Sequence, residues 1–448
     1  MLSSETEYAK DQDEPMGKRL LGPVSALGLF TLILFLIPAP MRVSALGTAG
    51  HPATVLSIAA FLWWCWYHLA RRRRLSFVGQ PVRKAILLYL LVSLVVYAQA
   101  MSVPMPGDEI SPADSALLRL LGGTGLMLVA CDGLRRFADL WTVCRRLAEA
   151  AGFVSLLAIV QFVTGRIWVD AVQIPGLTSA RGELSLAARG ALNRPSGTAT
   201  TAIELAMVLA VTLPLIITVA RNSSRHRAFY WAMALFTSLA IVLTLSRTGI
   251  VCTIVALACL LPAWPKSTRF AAAALAVVLF AGTYVAVPGI AATYRGLFGQ
   301  ADGDPSVQSR TDAYGIVFAF VENRPWFGRG SGTFLPKYWI LDNLYLGQLI
   351  ETGVVGVGAL LLLIAVAAWG ARRASKTASH PEERELNRSI MAGIVACAVG
   401  FAFFDGFPFP ESAGTFFLLI GLAAAGHRLS GSSRRRVPKV PGDRGVER

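Results

Sequence analysis

Charged residues are scarce in this chain: they make up 15% of its 448 residues, whereas 54% of the residues are hydrophobic. A soluble globular domain keeps roughly a quarter of its residues charged, so the shortage of charge argues against a soluble protein. Apolar stretches of about 17–25 residues, each long enough to cross a hydrocarbon core, recur along the whole sequence. The fold class that we predict is therefore an all-α polytopic membrane protein with one membrane domain.

Several site signatures are also missing. The six cysteines lie inside or beside apolar runs, so no disulfide framework is predicted. There is no zinc-ligand spacing and no RNA-binding signature, and the glycine-rich turn 328–332 lacks the Lys-Ser/Thr ending of a P-loop. The net charge of +15 comes from short basic clusters between apolar runs, such as Arg71–Arg74. That arrangement is typical of cytoplasmic anchors, so we do not expect nucleic acid as a partner. No metal site or other cofactor is predicted.

The apolar runs and the basic clusters together predict a topology. We expect about twelve transmembrane helices, at 20–38, 52–70, 84–101, 115–133, 148–165, 200–220, 228–245, 249–264, 270–287, 344–369, 388–404 and 413–427. Basic residues cluster in every second connection, which places both termini in the cytoplasm. The chain then divides into a cytoplasmic tail (1–19), a membrane domain (20–427) and a basic cytoplasmic tail (428–448). A long extracytoplasmic loop connects helices 9 and 10.

Two outer segments, 166–199 and 288–343, are rich in arginine although the orientation rule disfavours positive charge there. Arginine binds phosphate oxygens in pairs, so an outward anion site, such as one for a lipid-linked pyrophosphate, is one interpretation. The other interpretation is that these arginines pair with acidic residues of the same loops.

Arg247 lies in a tight turn between two apolar runs, where an ionisable residue usually faces a cavity or a partner. The alternative interpretation is that the Arg247 side chain simply extends to the lipid headgroups.

The segment 310–353 contains a second set of candidates. Apolar spacing predicts a helix over 311–323, and the glycine-rich turn 328–332 permits close backbone approach. Asp342 and Asn343 stand at the start of a membrane helix. Aspartate is a preferred helix cap there, because it satisfies backbone N–H groups and favours the positive end of the helix dipole. Asp342 is therefore either a structural cap or a catalytic base.

The order of several short motifs resembles that of the O-antigen ligase/O-antigen polymerase superfamily, most clearly over residues 190–370. These motifs are Arg-Pro-Ser-Gly-Thr (194–198), Ser-Arg-Thr-Gly (246–249), Pro-Trp-Phe-Gly-Arg-Gly (325–330), Asp-Asn-x-Tyr-Leu (342–346) and Glu-x-Gly (351–353). The resemblance implies a C-type glycosyltransferase-like membrane fold. It also implies metal-independent transfer of a glycan from undecaprenyl diphosphate to a sugar hydroxyl, on the outer face of the bacterial cytoplasmic membrane.

The resemblance further implies roles for individual residues. The conserved arginines of the family correspond to Arg247 and Arg310, which would hold the pyrophosphate. Ligases have a histidine where this sequence has Asp342, which favours a polysaccharide polymerase-like enzyme over a ligase. Glu204 stands where ligases often have asparagine.

The predicted catalytic residues are thus Asp342, as the general base, with Arg247 and Arg310 as diphosphate clamps around a common cavity. Direct displacement would invert the anomeric centre. The predicted substrate-binding residues are Arg194, Glu204, Arg329, Asn343 and Tyr345. The partners expected are a lipid-linked glycan, membrane lipids and envelope polysaccharide assembly proteins. A transporter of lipid-linked glycans and a non-catalytic assembly scaffold remain the alternatives, although the inverted repeat common in transporters is not visible.

Overall fold

The computed structural model describes residues 22–70, 80–179, 188–189, 192–287, 289, 293 and 305–435. These residues form thirteen α-helices and two short antiparallel strand pairs. The helices are α1 (Pro23–Leu36), α2 (Pro52–Ala70), α3 (Pro81–Met101), α4 (Gly107–Gly133), α5 (Phe137–Thr164), α6 (Ala202–Asn222), α7 (Arg227–Leu243), α8 (Arg247–Leu260), α9 (Lys266–Ala286), α10 (Pro305–Val321), α11 (Leu344–Thr377), α12 (Pro381–Gly400) and α13 (Pro410–Arg435). The strands are β1 (Met41–Arg42) with β2 (Thr178–Ser179), and β3 (Ala188–Arg189) with β4 (Leu192–Asn193).

The all-helical, multi-pass membrane architecture is confirmed. Eight of the described helices, α2 to α6, α9, α11 and α13, are long and apolar enough to cross a bilayer. Helices α1, α7 and α8 are apolar but shorter. The count of twelve membrane crossings and the placement of the loops stay predictions. The helix expected over 311–323 is present as α10, which begins several residues earlier.

Two helices form the centre of the bundle. In the most apolar 18-residue window of α6, 94% of the residues are buried inside the protein, and the corresponding value for α13 is 78%. Helix α13 packs against α4, α11 and α12, and α6 packs against α7, α8 and α12. In α2 only 11% of the window is buried, so its apolar side chains face outward, as expected for a helix that contacts lipid.

The connections at one end of the bundle are joined to one another. Strands β1 and β2 link the α1–α2 connection to the α5–α6 connection. The side-chain amide of Gln161 donates to the Gly197 carbonyl at 2.9 Å and accepts from the Gly197 N–H at 2.8 Å. The Leu344 N–H donates to the Phe401 carbonyl, which ties the start of α11 to the end of α12. We call this end, where the functional residues discussed below lie, the cavity end.

Candidate active site

A cavity of about 500 Å³ opens among the helices at the cavity end. Its wall comes from α1 to α4, the α1–α2 connection, the N-terminal turn of α6, the segment 331–342, α11, the segment 404–410 and the first turns of α13. Most of the wall is apolar and aromatic. The charged side chains in the described part of the wall are Arg119, Asp342, Glu351 and Asp405. Pockets of this kind, largely apolar with a few converging polar groups, are the usual form of a small-molecule or lipid-substrate site.

Asp342 lies on this wall immediately before α11, whereas its neighbour Asn343 caps the helix. The Asn343 side-chain oxygen accepts from the backbone N–H groups of Tyr345 at 3.0 Å and Leu346 at 3.2 Å. These are two of the N–H groups that a helix leaves without an intrahelical partner at its start. The cap therefore falls on Asn343, and the carboxylate of Asp342 is not needed for it.

Helix α11 is broken at Gly353, and the glycine-rich turn fills the break. Gly353 has φ +65°, so the hydrogen-bond ladder of the helix is interrupted there. The turn supplies replacement partners in both directions. The N–H groups of residues 329 and 330 donate to the carbonyls of residues 350 and 351, and those of residues 354 and 355 donate to the carbonyls of residues 325 and 326. The buried backbone groups at the break are thus paired.

Glycine is required on both sides of this contact. A Cβ atom on Gly328, which has φ +65°, would lie 2.4 Å from the backbone carbonyl carbon of Glu351. A Cβ atom on Gly353 would lie equally close to the backbone of Trp326. This close contact fixes the position of Glu351, which lies at the break with its side chain on the cavity wall. Its Oε1 atom accepts from the Phe334 N–H at 3.4 Å.

Arg119 connects the remaining charged groups of the cavity. Its guanidinium donates to the Thr48 hydroxyl and interacts electrostatically with Glu351 and Asp405. The pKa of Asp405 is raised from 3.8 to about 7, chiefly by burial and also by the nearby Asp342 carboxylate, against the lowering effects of Arg119 and the Phe407 N–H. The four charges therefore form one electrostatically linked group, which we call the polar end of the cavity.

The sequence analysis did not predict Arg119, Glu351 or Asp405 as site residues. Arg119 interrupts the run Leu117-Leu118-Arg119-Leu120-Leu121, and Asp405 follows the four aromatic or apolar residues Phe401-Ala402-Phe403-Phe404. An ionisable residue inside an apolar helical run is expensive and usually functional, so this signal was available for Arg119. Glu351 was part of a quoted motif, but nothing in that motif indicated that its side chain faces a cavity.

Two of the predicted cations, Arg194 and Arg247, lie in another part of the cavity end, at the turn between α7 and α8. Arg194 Nε donates to the Thr244 carbonyl at 2.9 Å, at the C-terminal end of α7. Arg247 is the first residue of α8, two residues after Leu245, whose φ of +51° makes the turn unusually tight. We call residues 244–247 with Arg194 the arginine turn. Within the described residues, the cavity wall includes Asp342 but not Arg247 or Arg194.

The other predicted site residues contact the protein itself. Arg329 binds both carboxylate oxygens of Glu109 at 2.8 Å. The fully buried carboxylate of Glu204 accepts from the N–H groups of Thr200, Glu411 and Ser412. The Tyr345 hydroxyl donates to the Ala398 carbonyl at 2.6 Å. The Arg310 side chain lies outside the described residues. The substrate-binding roles, and a cavity common to Arg247, Arg310 and Asp342, thus stay predictions.

Residues 231–361 match the protein family described as O-antigen ligase. Over this segment, the chain is similar to the O-antigen ligase family. The resemblance seen in the motifs is thereby confirmed for the segment from α7 to the middle of α11, which includes the arginine turn except Arg194, the glycine-rich turn, Asp342 and Glu351. Two charged residues of the cavity, Arg119 and Asp405, come from outside this matched segment. No curated protein matches the chain.

Proposed function

We propose that this protein is a metal-independent membrane glycosyltransferase that acts as an O-antigen or exopolysaccharide polymerase-like enzyme. It transfers a glycan from undecaprenyl diphosphate to a sugar hydroxyl on the outer face of the bacterial cytoplasmic membrane, with both termini in the cytoplasm. The observation that carries the proposal is the position of Asp342 within the segment that matches the O-antigen ligase family. It lies on the wall of a large cavity, next to the residue that caps α11, Asn343.

The chemistry follows from the charges. Asp342 accepts the proton of the acceptor hydroxyl as the hydroxyl oxygen attacks the anomeric carbon of the donor. The bond from that carbon to the diphosphate oxygen breaks at the same time, so the anomeric centre is inverted. Negative charge grows on the departing diphosphate. Arg247 and Arg310, with Arg194 as a third cation, stabilise that charge because preorganised guanidinium groups are effective where the dielectric constant is low.

The test is transfer by the purified protein. The substrate is the lipid-linked repeat unit extracted from a strain that lacks this chain, and the products are separated by size. The proposal predicts longer lipid-linked glycans together with released undecaprenyl diphosphate. If proteoliposomes move the lipid-linked glycan across the bilayer without making a new glycosidic bond, the protein is a transporter. If they do neither, it is a scaffold, and the enzyme proposal is wrong.

A ligase is the second candidate, because the matching family is described as O-antigen ligase. The aspartate at position 342, where ligases have histidine, favours the polymerase. The surface glycans of a deletion strain distinguish the two. Loss of a polymerase leaves single repeat units on the cell surface, whereas loss of a ligase leaves long chains on the carrier lipid.

A further inference from the structure

Residues 335–341, which lie between the glycine-rich turn and α11, form a strap along the cavity wall. Five of them line the cavity, namely Leu335, Pro336, Trp339, Ile340 and Leu341. The strap is fastened at both ends, because the Phe334 N–H donates to the Glu351 carboxylate and the Leu344 N–H donates to the Phe401 carbonyl. Between these ends, its backbone makes no hydrogen bond to any other described segment. Side chains must therefore hold the strap in place.

The two strap residues that do not line the cavity contact the first turn of α4. The Lys337 ammonium donates to the Asp108 carboxylate, and the Tyr338 hydroxyl donates to Oε1 of Glu109. Arg329, which precedes the strap, donates from Nη2 to both carboxylate oxygens of Glu109 at 2.8 Å. Its guanidinium carbon also lies 4.9 Å from the centre of the Tyr338 ring. We call Glu109 with Arg329 and Tyr338 the latch.

Burial makes the contacts of Glu109 stronger than the ion pair beside it. The Glu109 side chain is 1% exposed, whereas those of Lys337 and Asp108 are 44% and 56% exposed. Charge-assisted hydrogen bonds are strong where water is excluded, and exposed ion pairs contribute little. Each side-chain hydrogen bond that the structure gives Glu109 comes from Arg329 or Tyr338. We therefore expect the strap to loosen when the charge of Glu109 is removed.

The strap leads directly into Asp342. On its C-terminal side Asp342 is followed by Asn343, which is fixed as the cap of α11. On its N-terminal side it is preceded only by the strap, so the position of its carboxylate depends on where the strap lies. A loosened strap would leave the chain free to move between Phe334 and Leu344. A displacement of about 1 Å at a reacting group can lower a rate by about 10²-fold.

We propose that Glu109 is a positioning residue of the transfer reaction, which acts through the latch and the strap to hold Asp342 at the cavity. Asp342 is the group that meets the substrate. Glu109 itself is not among the wall residues that the structure describes, and it lies outside the segment 231–361 that matches the family. The proposal rests on the proposed function, because it requires Asp342 to act in transfer.

Kinetic constants of the purified protein test the positioning role. Glu109→Gln keeps the shape of the side chain and a hydrogen-bond acceptor, but it removes the charge that Arg329 binds. It should lower kcat for transfer from the lipid-linked repeat unit by about tenfold and leave KM within about twofold, because the cavity wall keeps its residues. Asp114→Asn is the matched control. Asp114 is exposed on the same helix and accepts from the Tyr97 hydroxyl instead of from the strap, so neither constant should change.

Thiol labelling measures the strap without any transfer reaction. In a variant whose six native cysteines are replaced, Leu341→Cys places a thiol on the strap at a position that is 9% exposed. A water-soluble maleimide should label it about tenfold faster when Glu109→Gln is also present, and at an unchanged rate with Asp114→Asn, because only the first change loosens the strap. Labelling is carried out well below the unfolding midpoint of every variant. Tyr338→Phe, which removes one latch hydrogen bond, should act in the same direction and replaces Glu109→Gln if that variant does not fold.

The two measurements must agree for the proposal to hold. An unchanged labelling rate in Glu109→Gln would overturn it, because the latch would then not hold the strap. A raised KM with unchanged kcat would also overturn it, since the strap would then serve substrate binding and not the placement of Asp342. Both results leave the proposed function standing. Absence of transfer by the wild-type protein would refute the proposed function, and the positioning role with it, whatever the labelling rate.

Discussion

The adjacent residues Asp342 and Asn343 have different roles: Asn343 caps α11, and Asp342 faces the cavity. Both side chains can cap a helix, and the sequence offers no means of choosing between them. The structure assigns the cap to Asn343, which binds two N–H groups at the start of α11. The carboxylate of Asp342 lies on the wall of the cavity, where a substrate can reach it.

The cap assignment makes a prediction about stability. Asn343→Ala should lower the free energy of unfolding by about 1 kcal/mol, because two N–H groups at the start of α11 lose their acceptor. Thermal unfolding of the detergent-purified protein measures the effect. An unchanged midpoint in Asn343→Ala, with a lowered midpoint in Asp342→Ala, would mean that Asp342 is the cap after all.

Asp405 predicts a pH dependence of stability. The folded protein raises its pKa from 3.8 to about 7, so between these values the folded state binds more protons than the unfolded state. The contribution of this residue to stability therefore falls as pH rises from about 4 to about 7 and is constant above that range. The difference in unfolding midpoint between wild type and Asp405→Asn should change across this window. A difference independent of pH would show that Asp405 titrates normally.

At the scale of elements, the helix break in α11 is the feature that builds the site. A continuous helix would have satisfied its own backbone and excluded the glycine-rich turn. The positive φ of Gly353 instead exposes carbonyl and N–H groups that the turn 325–330 pairs, and Glu351 is held at the junction. The short motifs around residues 325–330 and 351–353 are therefore two halves of one contact.

Two glycines of α11 provide a matched test of that contact. Gly353→Ala should destabilise the protein by about 1–3 kcal/mol, because alanine disfavours the left-handed region. Its Cβ atom would also lie 2.4 Å from the Trp326 backbone. Gly358→Ala, in the same helix with open space around it, should leave stability unchanged or raise it slightly. Unfolding midpoints compare the two variants. Equal effects would argue that the break is not under backbone constraint.

The sequence predicts the individual helices better than it predicts which of them meet at the site. Apolar runs indicate most helices of the bundle, and the Asp-Asn pair marks the start of α11. The grouping of Arg119, Glu351 and Asp405 could not be predicted, because these residues lie on three elements far apart in the chain. Periodicity shows which face of a helix is apolar, but not which helices become neighbours. Nor could it show that Glu204 would accept N–H groups at the start of α13.

At the scale of the whole molecule, the account requires the cavity end to face the exterior. The connections that meet there include the α1–α2, α3–α4 and α5–α6 segments and the segment before α11. Ion pairs such as Arg221–Glu385 and Arg83–Asp132 lie at the opposite end. The basic clusters predict that this opposite end is cytoplasmic.

Cysteine labelling of intact cells tests this orientation. In a variant whose six native cysteines are replaced, Ser102→Cys lies in an exposed connection at the cavity end and Ser224→Cys in one at the opposite end. A membrane-impermeant maleimide should label position 102 in intact cells and position 224 only after permeabilisation. The reverse pattern would place the cavity in the cytoplasm and contradict transfer on the outer face.

The central claim is that the carboxylate of Asp342 acts chemically in the cavity, and one comparison of rates tests it most directly. The purified wild-type protein, Asp342→Asn and the exposed control Asp312→Asn are assayed for transfer from the lipid-linked repeat unit at equal folded concentration. Loss of a general base lowers kcat by about 10²–10⁴-fold. We expect that loss in Asp342→Asn, with an unchanged unfolding midpoint, and wild-type rates in Asp312→Asn. Wild-type kcat in Asp342→Asn would contradict the account.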